Sequence, residues 1–319
     1  MAADIIGIDK PCLDLNVGVE KFPKQNAGSR IRERTWQGGG KVATGLAAAS
    51  RLGASCSIIG AVGDDLYGRF CYQDMERHGV GVEFLAVDPG RDTALSIVIS
   101  DRETGGRSIS HHPGSVRVPP LSEEAKIAII HSKCLFLASA GGINVEAAAI
   151  AHDGDTIVLM DADDISDEMA AMIPMIDAFI ASEDYYLRRC GGEPYEAALK
   201  AIIARGPAIA MFTLGEKGCV GIGPEGYFEL DAFRVDVVDT VGAGDVFHGA
   251  YAAALIEGMG AREAARFASA VSAIKCTRIG GRAGIPSRET VDRFLSGGGI
   301  DAEELDRRVE YYRRGLDHV

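Results

Sequence analysis

The chain has 319 residues, 47% of them hydrophobic, enough to bury a large core. Its net charge of −13 argues against a nucleic-acid-binding surface, and no run of about 18 apolar residues is present to span a membrane. The seven cysteines are odd in number and scattered, with no CxxC pair. That is the pattern of reduced thiols in an intracellular protein, not of a disulfide frame or a zinc site. Met1 to Lys10 carries an early acid and no long apolar run, so it predicts no secretory signal. A soluble cytoplasmic protein is the expectation.

In chain order, Ile5 to Ile8 reads as the first strand of a parallel sheet. Cys12 to Phe22 alternates, with Leu13, Leu15, Val17 and Val19 on one face and Asp14, Asn16 and Glu20 on the other, which predicts a half-exposed strand. Ile31 to Trp36 is similar. Next, Gly38-Gly39-Gly40-Lys41 opens a helix predicted over 41–52, with Gly53 as its stop. Backbone bared by glycine lets a hydroxylated ligand come close to a helix N-terminus, although a simple closing loop explains the same glycines. The run is not a P-loop, because Val42 follows the lysine. Residues 93–100 and 107–110 flank the turn-forming Asp101 to Gly106 and read as a hairpin. Together these exposed-type strands predict a small sheet standing off the main domain. His111 and His112 follow it and read as ordinary solvated residues.

From residue 121 onward strands and helices alternate, the mark of a parallel sheet covered on both faces. Ile127 to Ile130, Cys134 to Leu137, Ile157 to Met160 and Ala178 to Ile180 read as short buried strands or helix-to-strand junctions, with Val145 to Ala151 helical between them. Ser182 to Tyr186 reads as an acidic turn starting a helix. Ala208 to Phe212 is a strand leading into Thr213-Leu214-Gly215-Glu216-Lys217-Gly218, where a hairpin alone would explain the glycines.

The informative stretch comes next. Phe233 to Val238 reads as a strand and Val246 to Ile256 as a buried helix, with Asp239-Thr240-Val241-Gly242-Ala243-Gly244-Asp245 between them. The first amides of a helix have no carbonyl partner, so such a turn can hold an anion. Asp245 would sit in the first helical turn, aimed at a phosphate-sized hole. That suggests a base that deprotonates a hydroxyl about to attack a phosphoryl group. The bland alternative is a tight loop with a capping aspartate. His248, one turn further on, reads as supporting or packing. Phe267 to Thr277 looks helical and 278–284 is a loop. Gly297 to Gly299 is a break, and beyond it Asp301 and Glu304 form a capping pair for a helix carrying Leu305, Val309, Tyr312 and Leu316. That helix packs on its own chain or on a neighbouring subunit.

The stretch from Asp239 to Ala250, together with Gly38–Gly45, Leu52-Gly53-Ala54 and Ile59 to Asp65, resembles the two signatures of the ribokinase-like (phosphofructokinase-B) carbohydrate kinases. The resemblance runs from about Ile5 to Leu295, and Cys12 to Ala54 is similar to the ketohexokinase branch. It implies a ribokinase-like α/β three-layer sandwich over 1–296 with a central, mostly parallel sheet. A small β-sheet lid from about 12–37 and 92–112 would be inserted in it, with 297–319 forming a glycine linker and C-terminal helix. It further implies ATP-dependent phosphorylation of a sugar, with Asp245 as general base and Gly242, Ala243 and Gly244 as the anion hole. Asp14, Gly39, Gly40, Lys41, Thr44 and Arg107 would contact the sugar. Thr213, Gly215, Gly218 and Glu183 would contact Mg·ATP. Carbonyls of Asp239, Val241, Cys276 and Gly281 would hold potassium, and a homodimer would form through the lid. The chain departs from the family in three places. Thr44 stands where an Asn usually holds the sugar, the segment Phe136 to Gly142 lacks a carboxylate near its start, and Ser182 to Tyr186 lacks the distal acid of an NxxE motif. The acceptor is therefore open among ketohexoses, ribose, sugar acids and nucleosides. A sensing protein on the same fold is the alternative, since a dinucleotide-dependent dehydrogenase would need a GxGxxG turn that Gly7-Ile8-Asp9-Lys10 does not supply.

Overall fold

A computed structural model describes residues 3–101, 103–104 and 106–316. The predicted turn at Asp101 to Gly106 lies partly outside the described residues, at Arg102 and Gly105. The chain begins with β1 (Ile5–Asp9), β2 (Cys12–Val19), β3 (Ile31–Gly39), α1 (Lys41–Arg51), β4 (Cys56–Gly63), α2 (Leu66–Arg77) and β5 (Val80–Asp88). Then come β6 (Leu95–Asp101), β7 (Arg107–His112), α3 (Glu123–His131), β8 (Cys134–Leu137), α4 (Ile143–His152), β9 (Ile157–Asp161) and α5 (Asp167–Met172). They are followed by β10 (Ala178–Ser182), α6 (Glu183–Cys190), α7 (Tyr195–Ile203), β11 (Ile209–Thr213), β12 (Cys219–Gly223) and β13 (Gly226–Leu230). The last helices are α8 (Ala243–Ile256), α9 (Ala261–Lys275), α10 (Arg288–Leu295) and α11 (Ala302–Arg313).

The main sheet has nine strands in the order β13-β12-β11-β10-β9-β8-β1-β4-β5. The strands from β11 to β5 run parallel, and β12 and β13 add an antiparallel edge. Successive strand residues divide between two cores. Ile5, Phe136, Leu159 and Ile180 pack with α1, α8 and α9, whereas Ile6, Leu135, Val158 and Phe179 pack with α4 and α7 on the other face. Helices on both faces explain why these strands read as continuous apolar runs. The layers are therefore helix, sheet, helix, as expected. No helix among the described residues is long and apolar enough to cross a membrane, and all seven cysteines are unpaired.

A second sheet has four strands in the order β3-β2-β6-β7, with β2 and β6 parallel and the outer pairs antiparallel. The half-exposed reading of β2 is corrected, for Asn16 and Val19 are both buried. Asp14 and Asn16 pair with Gln37 and Thr35, and Gln37 donates to the Ile279 carbonyl at 2.9 Å. The polar face of this strand thus looks onto the body of the protein, where the alternation rule assumes water.

Two further expectations fail. Ile127 to Ile130 belongs to helix α3, with Ile127 and Ile130 on its exposed side. Phe233 to Val238 joins no sheet, since β13 is the edge strand, and Val237 and Val238 are exposed. Without a neighbouring strand to pair with, β-branched residues alone do not make a ladder. The segment is pinned at its end instead, where the N–H groups of Val238 and Asp239 donate to the Cys276 carbonyl at 2.8 and 3.1 Å.

The helix after Gly299 packs on its own chain. Leu305, Val309 and Tyr312 are buried in the core shared with α1 and α9. Asp301 caps it through the Glu304 N–H at 3.1 Å. The Glu304 side chain does not return that bond; it takes Arg51, Ser287 and Thr290 instead.

Candidate active site

Ligands of parallel α/β sheets bind beyond the carboxyl ends of the strands, and there the chain gathers its charges. Asp9 ends β1, Asp161 ends β9, and Lys41 opens α1. The Lys41 ammonium lies 3.2 Å from Asp161 Oδ1 and 3.1 Å from Asp163 Oδ2. Burial opposes its charge, but Asp161, Asp163 and Asp245 outweigh burial and hold the ammonium above its ordinary range. A cleft of about 470 Å³ opens here, lined among others by Asp9, Lys10, Lys41, Ser139, Gly142 and Asn144.

Asp245 stands in the first turn of α8. Burial raises its carboxyl, Asp161, Asp9 and Asp14 raise it further, and Lys41 only partly offsets them, leaving it at about 8. The helix starts at Gly242, whose φ of 72° is left-handed and favours glycine. The Ala243 N–H turns back to the Thr240 carbonyl at 3.2 Å, while the N–H groups of Gly244 and Asp245 have no acceptor among the described residues. Helices α1 and α8 touch backbone to backbone: a Cβ at Gly249 would lie 1.9 Å from the Gly45 carbonyl oxygen, and one at Gly45 would lie 3.0 Å from that of Asp245. This contact brings the first turns of α1 and α8 together, so that the Asp245 carboxylate acts on the Lys41 ammonium.

The other predicted residues fall as follows. Asp14 is raised by burial, and its carboxylate lies where a Cβ on Gly39 would stand. Gly40 caps α1 beside Asp9, whose Oδ2 accepts the Ala43 N–H at 2.9 Å. Thr44 is buried, its hydroxyl accepting from Arg282 Nε at 3.3 Å. Arg107, on the smaller sheet, donates to the Thr240 hydroxyl at 2.9 Å and so spans from that sheet to the α8 turn. Thr213 ends β11, and Gly215 to Lys217 forms a short 3-10 turn leading to Gly218. Glu183 reaches across to Lys217 at 2.7 Å. Asp239, Val241, Cys276 and Gly281 cluster behind the α8 turn. Asp239 Oδ1 accepts the Val241 N–H at 3.0 Å, and a Cβ on Gly242 would meet the Gly281 Cα at 2.8 Å. His248 is buried and donates from Nδ1 to the Gly244 carbonyl at 2.7 Å, with its ring stacked on Phe136. It braces the turn from behind.

Sequence reasoning missed Asp9, Asp161, Asp163 and Lys275. The first two were within reach, as acids closing apolar parallel strands. Lys275 gave no signal inside its helix.

The model of the pfkB family of carbohydrate kinases matches residues 3–288, and the chain belongs to that family. It is 27% identical over 267 residues to a ribokinase of Haemophilus influenzae, covering 81% of this chain and 87% of that one. It is 24% identical over 277 residues to a ketohexokinase of Mus musculus, covering 83% and 93%. Among solved structures, the ribokinase of Arabidopsis thaliana complexed with ribose and ATP superposes with a TM-score of 0.80 at 23% identity, covering 92% and 99%. The chain is an ATP-dependent kinase of the carbohydrate type.

Proposed function

We propose that this chain transfers the γ-phosphoryl group of Mg·ATP to a primary alcohol of a sugar, with Asp245 as the base. The carrying observation is the Asp245 carboxyl, pushed up to about 8 and lying in one helical turn with two unpartnered amides. A base poised near neutral pH suits proton removal from a hydroxyl. The hydroxyl oxygen attacks phosphorus, its proton passes to Asp245, and the bond to the bridging oxygen of ADP breaks. The Gly242-Ala243-Gly244 turn receives the charge on the transferred group.

On this reading Asp14, Gly39, Gly40 and Lys41 border the acceptor. Thr44 acts indirectly by holding Arg282. Arg107 closes the smaller sheet over the acceptor and excludes water. Thr213, Gly215 and Gly218 approach the nucleotide, with Glu183 beside its phosphates. Magnesium would enter as Mg·ATP, held mainly by the nucleotide phosphates. The exposed Ile31 and Ile97 on the smaller sheet support a dimer through it; sedimentation as a monomer would remove that assignment.

The test is ADP release from Mg·ATP across a panel of ketohexoses, pentoses, sugar acids and nucleosides. Turnover with one acceptor, abolished in Asp245→Asn, is the expected result. ATP binding without turnover on any acceptor would favour a sensing protein instead, to which a raised carboxyl in the cleft brings nothing.

A further inference from the structure

The family resemblance implies a potassium ion held by carbonyls of Asp239, Val241, Cys276 and Gly281, and the residues present do not fit one. The Cys276 carbonyl already accepts two N–H groups, from Val238 and Asp239. The Asp239 carboxylate is spent on the N–H groups of Val241 at 3.0 Å and Gly280 at 2.9 Å. The Asp239 carbonyl accepts a hydrogen bond from Lys275 Nζ at 2.9 Å. A second cation on that carbonyl would sit beside the ammonium, and the repulsion between the two disfavours it.

We infer that the Lys275 ammonium takes the place of the monovalent cation, so that the chain carries its own positive charge behind the α8 turn and needs none from solution. Lys275 is fully buried, and lysine is almost never so without a partner or a task. As the last residue of α9 it lies at the negative end of that helix, which favours a cation. The loop after α9 folds back on the helix end, where a Cβ on Gly284 would lie 2.2 Å from the Lys275 backbone carbonyl oxygen, and Gly281 packs on Gly242. The link forward to the anion hole runs through α9 itself, for Ser272, one turn before Lys275, donates to the Ala243 carbonyl at 2.8 Å. The charge is therefore tied to the same turn that would receive the phosphoryl group.

The inference bears on turnover only through the kinase reading, so the test separates the two. The full chain is melted, and its Mg·ATP affinity is measured by calorimetry, in buffers of equal ionic strength with either potassium or choline as the only monovalent cation. The native chain should melt and bind alike in both. Lys275→Met should melt lower in choline and recover in potassium, because deleting the ammonium opens the site. A native melting point that rises by several degrees in potassium, as a ligand well above its Kd would cause, overturns the inference. So does a Lys275→Met variant indifferent to potassium. Should that variant not fold, the native comparison decides alone. Failure to bind Mg·ATP in either buffer would count against the kinase reading, while the melting curves would still decide Lys275.

Discussion

Two aspartates, Asp245 and Asp74, are shifted in opposite directions. Asp74, on α2, is buried against Tyr312 of α11. It accepts from Arg282 Nη1 at 2.7 Å and from the Tyr312 hydroxyl at 2.8 Å. Burial pushes its carboxyl up, but the Arg282 guanidinium and the Tyr312 hydroxyl draw it below the ordinary range. Asp245 feels the charges of Asp161, Asp9 and Asp14, and of one lysine that is already paired twice. A carboxylate supplied with every partner it can use is a fixture of the fold. One left short of partners among other acids keeps its proton into the neutral range, where a reaction can draw on it.

The largest effect that could break this contrast is on turnover. Asp245→Asn should cut it by roughly 10²–10⁴-fold while leaving Mg·ATP affinity within a few-fold. Near-normal turnover would make Asp245 a fixture as well. The same variant has a signature in stability. A carboxyl raised from 3.8 to about 8 binds its proton more tightly folded than unfolded, so the native chain loses stability as pH rises between those values. The gain from Asp245→Asn should therefore grow from pH 4 and level off above pH 8, and kcat/KM of the native enzyme should rise through the same upper limb. A flat difference across that range would contradict the assigned shift.

Next comes the closed site. Arg282→Met leaves Asp74 buried with its cation gone and should cost about 3–5 kcal/mol in denaturant unfolding. A cost below about 1 kcal/mol would show that the pair is not the fixture described. His78 offers a smaller and pH-dependent effect. Burial drives its imidazole down to about 3, and since Tyr312 donates to Asp74, His78 Nε2 donates to Tyr312, at 2.8 Å. Its folded value lies below its unfolded one, so its contribution is present above pH 6.5 and is lost as pH falls toward 3. His78→Gln, which keeps a donor, should flatten the acid limb of the unfolding free energy; an unchanged limb would clear His78 of that role. The smallest effect belongs to the exposed Glu183–Lys217 pair. Glu183→Gln should move stability by under about 1 kcal/mol yet raise the KM for Mg·ATP, and an unmoved KM would separate Glu183 from the nucleotide.

Legibility in the sequence followed the range of the interactions involved. The strands at Ile5–Asp9 and Cys134–Leu137 and the glycine turn before Asp245 are local patterns, and chain order alone exposes them. Phe233 to Val238 looked like a strand because β propensity is local, whereas the absence of a neighbour is not. Lys41 pairs with Asp161, 120 residues away, and nothing in the glycine run announces an acid partner. The C-terminal helix showed its apolar stripe, but not that Tyr312 would complete the site of Asp74. Thr44 carries a similar lesson. As a departure from the family it invited a sugar-side explanation, while its hydroxyl is taken by Arg282.

The bond between Tyr312 and Asp74 also sets an order of events during synthesis. Asp74 leaves the ribosome 238 residues before its partner, and Arg282, which anchors the Gly39 carbonyl at 2.8 Å, emerges only shortly before Tyr312. Until then the N-terminal half can form its helices and β1–β4–β5 pairing, but the end of β3 that carries Gly39 lacks the guanidinium that holds its carbonyl. A nascent chain, or one cut by a premature stop after α9, would expose an unpaired buried carboxylate and an unfinished cleft. Such a chain is a substrate for chaperones and proteases rather than a slow enzyme.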